Sequence, residues 1–434
     1  MMLNFDDNLK KSESERSNKK KTSLKLKIIL LVFVLLFIFI SEIYYRQPLF
    51  DMSLNLIKNI QYDVNNGGSR IALNFFKLVT KLGTVGATIP ILVFFYLFSP
   101  LHITYRYLVI LILASFLNNY LKMVYYDPRP FWVVDDPKLI HPYSCSASYG
   151  NPSGHSLNTT SIFLSVWWTI CNHFKVLRKN GFLRMMLFLI FLVIIMLVMY
   201  SRLFLGVHTL NQLIFGFLLG ICLFVLFHYI VDFENFNGHQ FFSLFSNKIF
   251  IIIHTLIFVG LMTSLVLTLV LYNHDSYNEK YKEIIKRLCP HKKILEKFQN
   301  DGFMNSLCLC GLIGAYYGLV LLNLLLQRYY SNKFTDELKE HFLNWNKHLK
   351  LRHYFIKFIV VLCCSIPLLI YFIIPGNTDN TIVFAFKIAI PFFISLFLLF
   401  GPAIYISLKF KAINKKLLLE FRNIDKEDSL LENL

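Results

Sequence analysis

The sequence predicts an all-α, polytopic membrane helix bundle, and two observations lead to this fold class. Of the 434 residues, 56% are hydrophobic and 44 are phenylalanine, an apolar content above that of an ordinary soluble domain. Apolar stretches able to cross a hydrocarbon layer of about 30 Å recur along the chain, and a backbone in lipid satisfies its hydrogen bonds as a helix. We expect ten spans, at about 26–45, 84–100, 103–122, 154–172, 183–201, 204–229, 249–272, 303–327, 354–375 and 382–408.

Basic residues flank these spans, which explains the net charge of +18 without nucleic-acid binding. Short cytoplasmic loops of membrane proteins collect Lys and Arg. If the lysines between 10 and 21 are cytoplasmic, the basic segments at 173–184 and 328–350 are cytoplasmic as well. We therefore expect both termini in the cytoplasm. The segment 273–302 opposes this topology, because it places seven basic residues against five acidic ones on the far side.

Two smaller features leave alternatives open. Residues 69–83 carry apolar residues near helical spacing, which is typical of a helix on the membrane surface or of the start of the next span. Most of the eight cysteines lie in or beside spans without metal-ligand spacing, so we expect them to be small core residues. Cys145 and Cys289 fall on the non-cytoplasmic side, where they are either free or joined in a disulfide.

The first chemically informative element is the segment 122–130, at the end of the third span. Lys122 precedes Arg129 by seven residues, and Pro128 and Pro130 end the helix around Arg129. Both cations can therefore bend toward one point. Taken alone, a Lys or Arg at the end of a span more often anchors the helix.

The second element is Pro152, Ser153, Gly154 and His155, at the start of the fourth span. A helix start offers unpaired N–H groups and a positive dipole end, which suits a phosphate group. Gly154 permits close approach of the backbone, and Ser153 adds a hydroxyl. The ordinary pKa of a histidine, about 6.5, suits His155 for proton transfer. A Ser N-cap beside an interfacial His explains this tetrapeptide alone equally well.

The third element contains Ser201, Arg202, His208 and Gln212, on the same predicted side of the membrane. Arg202 supplies a planar set of donors that matches phosphate oxygens. Gln212 lies one helical turn beyond His208, so it can reach the second ring nitrogen of that histidine. Together the three elements supply donors for phosphoryl oxygens, a nucleophile and a proton donor, which is the set that phosphate-ester chemistry needs.

The three elements resemble the type 2 phosphatidic acid phosphatase superfamily, whose signature is KxxxxxxRP, PSGH and SRxxxxxHxxxD. Only the last position differs, because Gln212 stands in place of the Asp. The resemblance implies a six-helix phosphatase core at 26–229 and a C-terminal membrane extension of about four helices at 230–408. The remaining segments, 1–25 and 409–434, are expected to be a disordered basic tail and a second cytoplasmic tail.

The resemblance also implies a metal-independent phosphomonoesterase without a cofactor, working through a phosphohistidine. By that analogy His208 attacks phosphorus and His155 protonates the leaving oxygen. Gln212 accepts the same hydrogen bond as an Asp but without the charge, so we expect weaker activation of His208. Glucose-6-phosphatases of the superfamily resemble this chain in carrying Gln there. The residues expected to hold the phosphoryl oxygens are Lys122, Arg129, Ser153, Gly154 and Arg202.

Two substrate classes follow from the resemblance. Three spans before the first motif, and further spans after the core, resemble the lipid phosphate and sphingosine-phosphate phosphatases, whereas PRPFW and Gln212 resemble the glucose-6-phosphatases. We expect a lipid phosphate, such as a long-chain-base phosphate or phosphatidic acid, hydrolysed at the lumenal face of the endoplasmic reticulum. A sugar phosphatase is the alternative.

An inactive transport or scaffolding relative is a third interpretation, since the late spans add His254 and Lys387. A vanadate haloperoxidase would use the same pocket but is typically soluble. The sequence does not determine the oligomeric state.

Overall fold

The computed structural model describes residues 3–65, 70–134, 140, 143, 148–231, 238–273, 277–289, 308–329, 351–373 and 381–409. Throughout these ranges the regular structure is helical and no strand occurs, so the all-α prediction is confirmed.

Nine α-helices lie in the first half of the described chain. They are α1 (Leu3–Asn65), α2 (Arg70–Val79), α3 (Val85–Phe98), α4 (Leu101–Tyr125), α5 (Pro130–Val134), α6 (Gly154–His173), α7 (Lys175–Lys179), α8 (Gly181–Phe204) and α9 (Leu210–Val225). A 3₁₀ turn at Thr80–Gly83 follows α2, and a π-helical turn at Leu226–Ile230 extends α9.

The second half continues in the same way. Its described helices are α10 (Gly238–Ser243), α11 (Lys248–Asn273), α12 (Tyr277–Leu288), α13 (Cys308–Tyr329), α14 (Leu351–Ile373), α15 (Thr381–Phe400) and α16 (Pro402–Lys409). Each of the ten predicted spans overlaps a helix within the described residues, and the last, 382–408, is divided between α15 and α16.

Not every predicted span is apolar enough to be counted as a membrane helix. Within the described residues seven helical segments pass on length and hydropathy, or eight if the bent pair Arg70–Gly83 and Gly86–Phe98 is one span. The helix α6 is absent from this set because Ser, Thr and Asn side chains, most of them buried, lower its hydropathy. It packs against α4, α8 and α9, so its polar face lies inside the bundle.

The segments before and after the first span are also helical. The backbone of α1 is helical from Leu3, whereas we expected residues 1–25 to be disordered. Lys and Glu have good helix propensity, so a membrane span can continue as helix through such a segment. Residues 70–83, predicted as a surface helix or as the start of the next span, form α2 and the 3₁₀ turn, bent by 46° from the helix that follows.

The C-terminal extension is held together by close helix contacts. A Cβ on Gly314 would lie 2.2 Å from the Phe393 carbonyl oxygen, and one on Gly318 would lie 2.7 Å from that of Phe397. These two glycines form a GxxxG pattern that lets α13 and α15 approach closely. Cys289, directly after α12, is disulfide-bonded, and its partner lies outside the described side chains.

Candidate active site

The first two cations lie on either side of the break that ends α4. Tyr126 adopts a left-handed conformation, with φ of 50°, and its N–H donates to the Lys122 carbonyl at 3.3 Å. The chain then turns toward Arg129 before α5 begins at Pro130. The Lys122 ammonium, which is buried, lies 3.5 Å from the Ser148 hydroxyl. Helix termination therefore brings both cations to one end of the bundle.

Arg129 is held by backbone acceptors from two distant segments. Its Nε donates to the Ser148 carbonyl at 2.6 Å, and its Nη1 donates to the Val207 carbonyl at 2.9 Å. The same Nη1 lies 3.2 Å from His208 Nε2. Because a guanidinium only donates, His208 Nε2 must accept this hydrogen bond.

The start of α6 provides a buried hydroxyl. Ser153 is the N-cap residue, is fully buried, and its Oγ has no hydrogen-bond partner in the described part of the chain. A Cβ on Gly154 would lie 2.8 Å from Asn118 Oδ1, so α4 and α6 meet there as closely as glycine allows. His155 packs on Gly83 and interacts electrostatically with Arg202, Lys122 and Arg129.

The end of α8 supplies Arg202, and a glycine turn leads from it to His208. Arg202 Nη1 donates to the Thr80 hydroxyl at 2.8 Å, whereas its buried Nε has no partner among the described residues. Gly206 has φ of 67°, a conformation that favours glycine. The turn directs His208 back toward Arg129.

Gln212 connects His208 to a carboxylate that the sequence analysis overlooked. Its Oε1 lies 3.0 Å from His208 Nδ1. Its Nε2 donates to Asp127 Oδ2 at 3.1 Å and to the Pro128 carbonyl at 2.9 Å. Since both of those partners are acceptors, the amide oxygen must face His208, which fixes the ring proton on Nδ1.

The three cations have no carboxylate partner in the described structure. Lys122, Arg129 and Arg202 are all buried, and the ion pair in these ranges joins Arg46 to Glu42 instead. Buried charges without a counter-charge are costly. The cluster is therefore suited to an anion with several oxygens. No group of His, Cys, Asp or Glu able to hold a metal ion occurs among the described residues.

Comparison with known families agrees with this geometry. Residues 104–236 match the PAP2 superfamily. This segment is a PAP2 superfamily domain. It includes all eight residues singled out from the motifs, and the superfamily predicted from them is confirmed.

Individual relatives match shorter parts of the chain. Phosphatidylglycerophosphatase B of Bacillus subtilis (strain 168) is 34% identical over 110 residues, 25% of this chain and 49% of that protein. Glucose-6-phosphatase catalytic subunit 1 of Bos taurus is 26% identical over 145 residues, 30% of this chain and 41% of that protein. The chain thus spans less than half the length of either relative. A crystal structure described as the first transmembrane PAP2 type phosphatidylglycerolphosphate phosphatase, from Bacillus subtilis, is 24% identical, with 46% of this chain and 96% of that chain covered and a TM-score of 0.38.

Two further residues support the PAP2 site, and only one had a visible sequence signal. Asp127 directly precedes the prolines beside Arg129, so its proximity to the site could have been inferred from the chain. Gly150 had no such signal. Its Cβ would lie 2.3 to 2.5 Å from the Gln212 amide group, so a glycine there leaves room for the connection to Asp127.

The first span braces the loop that carries Ser153. Asn151 Nδ2 donates to Glu42 Oε1 at 2.7 Å, and Arg46 pairs with the same carboxylate. Glu42 is fully buried. An acidic residue inside a membrane helix, paired on both sides, therefore ties α1 to the loop before α6.

Proposed function

We propose that this PAP2 protein is a membrane phosphatase that hydrolyses a phosphate monoester through a phosphohistidine on His208. The observation that carries the proposal is the position of His208 between Gln212 and Arg129. Gln212 holds the proton on Nδ1, which leaves the Nε2 lone pair directed at the cation cluster. That is the tautomer a nucleophilic imidazole requires.

The electrostatics of the site favour this form of His208. Burial lowers the pKa of His208, and Arg129, Arg202 and Lys122 lower it further. The imidazole is therefore neutral at physiological pH. A bound phosphate offers Arg129 new acceptors in place of Nε2, which frees the nucleophile as substrate arrives.

The reaction then needs two proton movements, both assigned to His155. The Nε2 lone pair forms the P–N bond while the P–O bond to the alcohol breaks. His155, protonated once the substrate phosphate offsets the charges of Lys122, Arg129 and Arg202, gives its proton to the leaving oxygen. Neutral His155 next accepts a proton from water as that water attacks phosphorus and the P–N bond breaks. Inorganic phosphate leaves, and both histidines return to their starting forms. Donors proposed to stabilise the phosphoryl oxygens are Lys122, Arg129, Ser153, Gly154 and Arg202.

We favour a lipid phosphate as substrate, a long-chain-base phosphate or phosphatidic acid. Glucose 6-phosphate is the second candidate, supported by Gln212 and by the similarity to the bovine glucose-6-phosphatase. Phosphatidylglycerophosphatase B is a relative of comparable similarity, so relatedness alone does not separate the two classes.

The proposed location is a non-cytoplasmic site in the endoplasmic reticulum, with both termini in the cytoplasm. A disulfide at Cys289 requires an oxidising compartment. Tyr281, on the preceding helix, packs on Trp132 and Tyr149 with ring centroids 5.1 and 6.4 Å apart. Tyr149 contributes a carbonyl to Arg129, so the disulfide-bearing segment and the site lie together.

The test is phosphate release by the purified membrane protein from a long-chain-base phosphate, phosphatidic acid and glucose 6-phosphate. His208→Ala should abolish release and the trapping of labelled phosphate on the chain. His155→Ala should still be labelled by p-nitrophenyl phosphate, whose leaving group needs no proton, but not by alkyl phosphates. Release that is unchanged in His208→Ala would overturn the proposal, as would a wild-type protein that hydrolyses none of these esters.

A further inference from the structure

An apolar cavity of about 210 Å³ lies between helices α3 and α4 and the C-terminal extension. Helices α3 and α4 form one wall, with Leu92, Leu111 and Ser115 among its residues. Helices α14 and α15 form the other wall, with Cys364, Ser395 and Leu396. No residue of the catalytic cluster lines the cavity.

The cavity and the phosphate cluster share one face of α4. Its α4 lining residues, Leu108, Leu111, Ile112 and Ser115, follow helical spacing. Lys122 is seven residues beyond Ser115, two turns further along the same face, or about 10 Å along the axis. Asn119, whose side chain donates to the Ser115 carbonyl at 2.7 Å, lies between the cavity and Lys122 on this face. The near end of the cavity and the Lys122 ammonium are therefore about two helical turns apart on one side of α4.

The extension is attached to the core beside the cavity, so the second wall is a fixed part of the fold. The Lys357 ammonium of α14 donates to the Leu97 carbonyl at 3.1 Å. The Tyr96 hydroxyl lies 3.5 Å from the Leu399 carbonyl of α15. The rings of Phe98 and Tyr354 stack with centroids 4.9 Å apart.

We infer that this cavity receives the hydrocarbon chain of the phosphate ester hydrolysed at His208. The inference rests on the proposed function and narrows it to a lipid phosphate. Glucose 6-phosphate has no group that would enter an apolar space, whereas an alkyl chain of a lipid phosphate matches its lining. Hydrocarbon transfer from bilayer to an apolar cavity brings little hydrophobic gain, so the cavity selects chains by shape. The C-terminal helices thus form one wall of the site for the hydrocarbon chain.

A filling substitution tests this assignment. Ser395→Phe places a ring in the cavity, and Ile394→Phe is the matched control, because Ile394 is the adjacent residue, is 36% exposed and does not line the cavity. We expect Ser395→Phe to raise KM for a long-chain-base phosphate on the order of tenfold, by steric exclusion. The kcat/KM for p-nitrophenyl phosphate, which has no chain, should change less than twofold. Equal losses on both substrates, or no change on either, would overturn the inference.

A binding measurement separates this inference from the proposed function. Cys364 lines the cavity and is a free thiol. In a Cys363→Ser, His208→Ala protein, a long-chain-base phosphate should slow modification of Cys364 by a small membrane-permeant thiol reagent, whereas inorganic phosphate should not. Mass spectrometry of the labelled peptide gives the rate. Unchanged modification would overturn the chain site even in an active enzyme, and protection in a protein that hydrolyses nothing would refute only the catalytic proposal.

Discussion

The Gln212 amide donates to the Asp127 carboxylate at 3.1 Å, and its oxygen lies 3.0 Å from the ring nitrogen of His208. The Asp127 carboxylate is therefore connected to His208 through the Gln212 amide, whereas in the superfamily pattern an Asp occupies position 212 itself. Weaker activation of His208 by Gln212 stays a prediction, and the Asp127 carboxylate adds a group that orients the amide.

Removing Asp127 should lower turnover rather than binding. In Asp127→Ala, Gln212 Nε2 keeps only the Pro128 carbonyl, so the amide orientation and the Nδ1–H tautomer of His208 are less well fixed. We expect kcat to fall roughly ten- to hundredfold, with KM changing less than threefold. Steady-state kinetics on p-nitrophenyl phosphate measures both. A raised KM at unchanged kcat would show that Asp127 serves only the shape of the pocket.

Replacing Gln212 by the Asp of the superfamily pattern should not raise turnover by itself. Gln212→Asp places a second buried carboxylate near Asp127, where like charges repel and no donor remains between them. We expect slower turnover and lower thermal stability than wild type. The double variant Gln212→Asp, Asp127→Asn removes the repulsion and should recover turnover to above that of the single variant. If the single variant were faster than wild type, the Asp127 connection would not matter to catalysis.

Gly150 should be indispensable to the same connection. A Cβ there would lie 2.3 to 2.5 Å from the Gln212 amide, so Gly150→Ala must displace that side chain. Gly181→Ala is the control, because a Cβ at Gly181 meets nothing within 4 Å. We expect Gly150→Ala to reduce kcat on the order of tenfold or more and Gly181→Ala to leave it within twofold. Equal kinetics for the two variants would contradict the proposed packing.

The pH profile should report the lowered pKa of His208. Its neutral form is the nucleophile, so the acid limb of the kcat/KM profile reflects that pKa and lies below the ordinary value of about 6.5. Arg202→Gln removes one of the cations that lower the pKa. Its acid limb should therefore move to higher pH, and the use of one substrate for both proteins cancels substrate ionisation. A shift to lower pH would contradict this electrostatic account.

A single glycine substitution should weaken the packing of helices in the extension. Gly314→Val forces α13 away from the Phe393 backbone of α15, at a cost of about 1–3 kcal/mol. Gly260→Val is the control, since a Cβ at Gly260 has nothing within 4 Å. We expect a lower melting temperature for Gly314→Val alone, measured by thermal unfolding in detergent. Identical melting of both variants would refute the close contact.

The amino-acid sequence by itself determined the membrane class, the helical architecture and the eight residues of the candidate site. These follow from local properties: apolar runs set the helices, and the site residues lie in short motifs whose spacing is visible along the chain. The sequence also indicated the superfamily, whose domain spans 104–236.

Only the tertiary structure decided how those residues are supported. Asp127 and Gln212 are 85 positions apart, and the cavity joins helices near 90–115 to helices near 361–399. Such contacts leave no periodic trace in the chain, because they depend on how helices pack rather than on how each one forms. The same packing placed Gly150 against Gln212. It also made the C-terminal helices one wall of the cavity.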